Sequence, residues 1–224
     1  MVSSPSLQIL STLGGLLAGT VIVFLAPRLV SYRLSQRAPL PPARVLIPLV
    51  GAWWGRWRPA YSSGLEILSA GVFLALSIRY GSDIKLLVGA LYSILLLTIA
   101  AIDLDHRLVL NRLSYPGVVL ALLGSLLWPG IGLVSALLGA VVGLAIFLVL
   151  QVLGRGSLGV GDMKLALLIG AMRGFPDVFN ALLLGTLLGG LAAAFLLIVM
   201  RKGRKASIAY GPYLAAGAIL SFFV

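Results

Sequence analysis

Apolar segments of about membrane-spanning length recur along most of this 224-residue chain. One crossing of a bilayer as a helix needs about 20 mostly apolar residues. Hydrophobic residues make up 60% of the chain and charged residues 10%, and the mean hydropathy is +1.11. A soluble domain is about half apolar and a quarter charged. The sequence therefore predicts an all-α, polytopic membrane helical bundle, with residues 1–224 forming one membrane-embedded domain.

The apolar segments number about eight, and the sixth is the shortest. The first is expected to stop at Pro27 because proline disrupts a helix interior. Residues 27–60 then form a basic loop, in which the apolar stretch 45–55 is too short to span and is typical of an interfacial segment. The predicted transmembrane helices are Ser6–Ala26, Ser63–Ile78, Leu86–Asp103, Tyr115–Leu127, Leu133–Leu153, Asp162–Met172, Val178–Met200 and Ile208–Val224.

Lysine and arginine residues are distributed very unevenly between the two sides of this predicted topology. The side that holds the links after odd-numbered spans carries fourteen of them, and the other side carries only Arg79, Lys85 and Arg173. Positive loops face the cytoplasm, so both termini are expected outside a prokaryotic inner membrane. The net charge of +11 is then explained by cytoplasmic loops near anionic lipid rather than by nucleic acid. The fourteen residues are Arg28, Arg33, Arg37, Arg44, Arg56, Arg58, Arg107, Arg112, Arg155, Lys164, Arg201, Lys202, Arg204 and Lys205.

Two of the six acidic residues, Asp103 and Asp162, fall at the cytoplasmic ends of predicted spans. Ionisable groups at such positions usually face a bundle interior or water. The dipole at a helix N-terminus favours charge on Asp162, whereas the C-terminal dipole opposes charge on Asp103. Two nearby carboxyls, one neutral and one charged, can activate a water molecule for peptide hydrolysis. The structural alternatives are an N-cap at Asp162 and an interfacial anchor at Asp103.

Other residues near these aspartates receive narrower predictions. Gly159 and Gly161 leave room for a substrate backbone beside Asp162. Asp105 lies on a different helix face from Asp103 and is expected in solvent, and His106 is expected at the surface. With one histidine and no cysteine, the chain offers no metal-ligand spacing, so zinc is not expected.

Three GxxxG spacings point to helix packing. They are Gly15–Gly19, Gly139–Gly143 and Gly185–Gly189. Small residues at this spacing let two helix backbones approach closely in lipid. We interpret all three as bundle contacts rather than as binding sites.

Three motifs in order resemble the prepilin peptidase family, the type IV leader peptidases, which are intramembrane aspartic proteases of the GxGD kind. They are AIDLDHRLVLNRLSYP (101–116), GVGDMKLALLIGA (159–171) and AYGPYLAAGA (209–218), and the similarity extends back to about residue 59. The resemblance implies that Asp103 and Asp162 are the catalytic pair. It also implies that Lys164 follows the GxGD motif and that Gly211 and Pro212 form the family's GPY turn, as supporting or substrate-binding residues.

The resemblance further implies an activity and its substrates. Family members remove the short basic leader of type IV prepilins and pseudopilins at the cytoplasmic membrane face. Many also methylate the new amino terminus with S-adenosylmethionine. The cysteine pairs common in the first loop and the usual span-one motif are absent here, where span one ends AGTVIVFLAP (18–27). Both departures argue against methyltransferase activity, and Val-Leu-Asn (109–111) replaces the family's frequent Leu-Pro-Asp.

Two other functions fit the same residues. The chain could be an inactive membrane scaffold of pilus or secretion assembly, or a small transporter that passes protons between Asp103 and Asp162. Transporter sites usually lie near the bilayer midplane, whereas these aspartates lie near its edge. The oligomeric state and the class of pilin are not encoded in any motif.

Overall fold

A computed structural model of the chain describes residues 4–34, 62–154, 159–198 and 209–224. These residues form eight α-helices and no strand, which confirms the all-α prediction. The predicted interfacial stretch 45–55 lies outside the described residues. The helices are α1 (Pro5–Leu34), α2 (Ser62–Tyr80), α3 (Ile84–His106), α4 (Asn111–Ser125), α5 (Leu133–Leu153), α6 (Val160–Arg173), α7 (Val178–Ile198) and α8 (Gly211–Ser221).

Within the described ranges, four helices are long and apolar enough to cross a membrane. They are found in α1, α3, α5 and α7, over Pro5–Val30, Ile84–His106, Leu133–Leu153 and Val178–Phe195. A membrane crossing by α2, α4, α6 and α8 stays a prediction.

Several predicted helix boundaries are wrong, including the start of α8, which lies at Gly211 rather than Ile208. The first helix does not stop at Pro27 but continues to Leu34, with Arg28 stacked on the Phe24 ring at 3.7 Å. Spanning helices tolerate a proline because neighbouring groups satisfy the freed carbonyl. Residues 27–34 therefore belong to α1 rather than to the predicted basic loop. The fourth helix begins at Asn111 rather than Tyr115 and contains Pro116.

The chain divides into two compact units, Met1–Ile102 and Asp103–Val224. In the first unit, α1 packs closely on α2. The Ser69 hydroxyl donates to the Gly15 carbonyl at 2.7 Å, and Gly19 meets Ser69 and Glu66. Glu66 is buried in this contact, where Thr20 donates to its carboxylate at 3.4 Å. The first GxxxG spacing is thus a helix contact, as predicted.

In the second unit, α6 is the central helix, and it packs against α4, α5, α7 and α8. Its residues Leu165, Leu168 and Ile169 are fully buried. Gly139 of α5 and Gly170 of α6 meet backbone to backbone. Because neighbouring helices rather than lipid surround α6, it does not need the length of an isolated span, which explains the short sixth segment.

The remaining GxxxG glycines also contact neighbouring helices. Gly143 meets Ala166 of α6, Gly185 meets Leu214 of α8, and Gly189 meets the Tyr210 ring. The packing prediction is confirmed for all three spacings, because each has no room for a side chain on the contacting face.

Gly15 and its neighbour Gly14 provide a matched test of the α1–α2 contact. A Cβ at Gly15 would lie 2.7 Å from Ala70 Cα, whereas one at Gly14 would meet nothing closer than 3.9 Å. We expect Gly15→Ala to destabilise the protein by about 1–3 kcal/mol through overpacking. Gly14→Ala should change stability by less than about 1 kcal/mol. Thermal unfolding in detergent measures both, and equal effects would contradict this account of the contact.

Candidate active site

Asp103 lies in the last turn of α3, where its side chain is only 5% exposed. Its Oδ2 accepts a hydrogen bond of 3.0 Å from the backbone N–H of Gly211. Gly211 is the first residue of α8, and the first N–H groups of a helix have no partner within the helix. The carboxylate of Asp103 therefore supplies a hydrogen-bond acceptor for one backbone N–H group at the start of α8.

The contact leaves no space for a side chain at residue 211. A Cβ there would lie 2.7 Å from Asp103 Oδ2 and 3.1 Å from its Cγ. Pro212 occupies the first turn of α8, where the missing N–H of proline costs nothing. The structure thus brings Gly211 to Asp103 and places Pro212 beside it in the chain.

Asp162 is the third residue of α6 rather than its first, so the predicted start of the sixth helix is two residues too late. Its Oδ2 accepts a hydrogen bond of 3.3 Å from the Gly159 N–H. The N-cap of α6 is Gly159, so the alternative that Asp162 is itself the N-cap is wrong. A carboxylate at this position reaches back to the N-cap as in a capping box, and it also benefits from the helix dipole.

The two carboxylates lie close enough for each charge to act on the other. Each commits Oδ2 to one backbone N–H. The Oδ1 atom of each accepts no hydrogen bond from the part of the chain that the structure describes. One oxygen of each carboxylate is therefore available to a water molecule or a substrate.

Helix dipoles do not distinguish the two aspartates in the way the sequence suggested. The C-terminus of α3 opposes charge on Asp103, but the N-terminus of α8 faces the same carboxylate and favours charge. Arg107 also interacts electrostatically with Asp103. The expectation that the C-terminal dipole opposes charge on Asp103 considered α3 alone and did not include these two contributions.

Gly161 contacts the segment between α3 and α4, and Lys164 contacts the start of α4. A Cβ at Gly161 would lie 3.0 Å from Val109 Cγ2, so this glycine has a packing role. Its role in substrate approach stays a prediction. The Lys164 ammonium donates a hydrogen bond of 2.6 Å to Asn111 Oδ1 and lies 5.7 Å from the centre of the Tyr115 ring.

Sequence reasoning did not single out Asn111 or Tyr210. Tyr210 precedes Gly211, and its ring fills the space left by Gly189 and lies 6.5 Å from the Phe147 ring. Its phenol is within electrostatic range of Asp162. The position of Tyr210 directly before the GPY motif was the available signal.

Asp105 is exposed, as its helix position predicted, and His106 is exposed, as expected for a lone histidine. Among the described residues, no group of three or more His, Cys, Asp or Glu side chains is placed to hold a metal ion. The site consists of two carboxylates, their backbone donors and the neighbouring Lys164–Asn111 pair.

The apolar helices define a polytopic membrane protein. Its candidate site contains two aspartates, each at the end of a helix. The model of the type IV leader peptidase family matches residues 90–194, which include Asp103, Asp162 and Lys164. The chain is thus similar to the type IV leader peptidase family over the segment that carries both aspartates.

Curated relatives agree with this family. The chain is 30% identical to a prepilin leader peptidase/N-methyltransferase of Xanthomonas campestris, over 71% of this chain and 57% of the relative. Proteins of the same name from Pseudomonas putida and Bacillus subtilis are 32% and 28% identical, over 67% and 70% of this chain. The chain spans 54% of the first and 63% of the second. No solved structure matches the chain.

The Gly211–Asp103 contact predicts that Gly211→Ala destabilises the protein by about 1–3 kcal/mol, because the added methyl group displaces the Asp103 carboxylate. Gly190→Ala is the control, since a Cβ at Gly190 meets nothing within 4 Å. Thermal unfolding in detergent compares the two variants. Equal stability of both would show that residue 211 has space that the structure does not give it.

Proposed function

We propose that this chain is an intramembrane aspartic endopeptidase that removes the leader of type IV prepilins or pseudopilins. The pairing of Asp103 with Asp162 carries the proposal. The two carboxylates interact electrostatically, each is held by one backbone N–H, and each keeps one oxygen available. Similarity to the leader peptidase family supports the same activity.

The proposed chemistry uses one proton shared by the pair. Two interacting carboxyls do not ionise independently, so one holds a proton while the other is charged. The charged carboxylate removes a proton from water, and the water oxygen attacks the scissile carbonyl carbon. The neutral carboxyl donates its proton to the carbonyl oxygen. The tetrahedral diol then collapses and the C–N bond breaks. The carboxyl that took the proton from water donates it to the leaving amine, and the other carboxylate takes a proton back from a diol hydroxyl.

We place this reaction at the cytoplasmic face of a prokaryotic inner membrane. The excess of Lys and Arg in the links after odd-numbered helices supports that orientation. Asp103 in the last turn of α3 and Asp162 in the first turn of α6 then lie on the same side. A leader peptide in the cytoplasm would reach both without crossing the bilayer.

The proposed peptidase needs no cofactor, because the pair itself supplies both the acid and the base. The relatives named above are leader peptidases and N-methyltransferases, and this chain spans a little over half the length of each. Without the cysteine pairs of the first loop, we propose cleavage without methylation, and no role for S-adenosylmethionine or zinc. Anionic lipid is the proposed partner of the basic loop.

The proposal is tested by co-expressing the protein with a prepilin from the same genome and measuring the intact mass of the pilin. We expect Asp103→Asn and Asp162→Asn each to slow leader removal by at least about 100-fold, since each removes an acid or base group. The matched control is Asp105→Asn, because Asp105 is exposed two residues from Asp103 and should not be needed. Mature pilin should carry no added methyl group.

Three outcomes would contradict parts of the proposal. Normal cleavage by either Asn variant would exclude the paired mechanism. Cleavage followed by gain of one methyl group would show that methylation does not depend on the missing cysteines. Failure of the wild-type protein to cut any pilin, pseudopilin, competence or tight-adherence precursor would favour a scaffold.

A further inference from the structure

The segment between α3 and α4 links the helix end that carries Asp103 to α4, which packs against the helix of Asp162. Arg107 follows α3 with a φ of 50°, a left-handed conformation that is uncommon for a residue other than glycine. Leu110 is buried, and its carbonyl accepts a 3.1 Å hydrogen bond from the Ser114 hydroxyl. The chain therefore makes an abrupt turn after Asp103 and is held again where α4 begins.

This segment and the first residue of α4 contact α6 on both sides of Asp162. Val109 packs against Gly161, immediately before Asp162. Asn111 accepts the 2.6 Å hydrogen bond from Lys164, two residues after Asp162. The Asn111 side chain is exposed and Lys164 is half-buried, so the hydrogen bond lies at the rim of the site.

In this structure the side chain of Lys164 is directed to Asn111. Its ammonium contacts the Asn111 amide oxygen and lies 5.7 Å from the centre of the Tyr115 ring. No hydrogen bond joins it to Asp162 within the described ranges. A short hydrogen bond to a charged donor is stronger than a neutral one, so this contact can hold two helix starts together.

We propose that Lys164 and Asn111 form a positioning brace that keeps Asp162 at its working distance from Asp103, an inference that rests on the proposed peptidase function. The brace joins the first turn of α4 to the second turn of α6. Val109, just before α4, also contacts Gly161 in the first turn of α6. Neither Lys164 nor Asn111 touches the reacting atoms. Their loss displaces one carboxylate relative to the other.

The test uses four variants of the full-length protein in detergent or lipid nanodiscs. Lys164→Met keeps the length of the side chain without its donor, and Asn111→Leu removes the acceptor at similar volume. Asn111→Asp keeps an acceptor, and the fourth variant combines Lys164→Met with Asn111→Leu. The control is Asn180→Leu, since Asn180 is an exposed asparagine of α7.

Displacement of a catalytic group by about 1 Å can slow a reaction about 100-fold. We expect Lys164→Met and Asn111→Leu each to lower kcat for leader cleavage by about 10-fold to 100-fold, with KM little changed. The double variant should be no slower than the slower single variant, because both remove the same hydrogen bond. Asn111→Asp should keep kcat near the wild-type value, and so should Asn180→Leu.

Different results would overturn the brace. If Lys164→Met raises KM while Asn111→Leu changes nothing, Lys164 binds substrate directly. If both variants lower the unfolding temperature but leave kcat of the folded protein unchanged, the contact is only structural.

A second readout separates failure of the brace from failure of the proposed function. Thermal unfolding of the same variants reports the contact without any substrate. The double variant should unfold at about the temperature of the less stable single variant, even if the wild-type protein cuts no prepilin. Additive losses of stability would show that Lys164 and Asn111 are not coupled, and would reject the brace whatever the protein does.

Discussion

The hydrogen bond from the Gly211 N–H to the Asp103 carboxylate joins the end of α3 to the beginning of α8. A helix that begins near hydrocarbon cannot rely on water for its first N–H groups, and each unsatisfied group is costly there. Asp103 supplies an acceptor for one of them. Asp162 does the same for the Gly159 N–H at the start of α6. Each proposed catalytic carboxylate therefore also has a structural role, because it accepts a hydrogen bond from a backbone N–H at the start of a helix.

This double role limits the residues around the pair. A side chain at residue 211 would collide with Asp103, and one at residue 161 would press on Val109. The central helix α6 packs against four other helices of its unit, and this packing sets the position of the helix that carries Asp162. A rigid surrounding is what a pair of carboxylates needs if one water molecule is to lie between them in a fixed geometry.

The apolar periodicity and length of each segment were enough to predict the helices. Their ends were harder, because local rules were overridden by tertiary contacts. Pro27 was expected to end α1, yet the helix continues to Leu34, and Asn111 was placed in a link although it begins α4. A proline rule describes the backbone of one helix and does not include neighbours that compensate for a lost hydrogen bond.

In the candidate site, too, some features could be predicted from the sequence, whereas others depend on tertiary contacts. Asp103 and Asp162 could be singled out because carboxylates are rare in this chain and occupy equivalent span ends. The partners of these residues could not be derived from local pattern. The contacts Asp103–Gly211 and Lys164–Asn111 join residues 108 and 53 positions apart. Gly211 was found only through a motif, and Asn111 and Tyr210 were missed, because no periodicity specifies which helix starts meet.

The position of the pair also bears on the other two functions considered. A proton-coupled transporter would place its carboxylates near the middle of the membrane, whereas Asp103 and Asp162 occupy the last turn of one helix and the first turn of another. A scaffold has no need of two interacting carboxylates with one available oxygen each. Both arguments favour hydrolysis.

The most direct test of this account is whether the two aspartates work as one unit. Rates of leader cleavage would be measured for Asp103→Asn, Asp162→Asn and the double variant, at high enzyme concentration and long incubation so that residual activity is detected. Residues that act together lose their function together, so the double variant should be no slower than either single variant. If the two losses multiply, Asp103 and Asp162 contribute independently, and the paired-carboxylate mechanism is wrong.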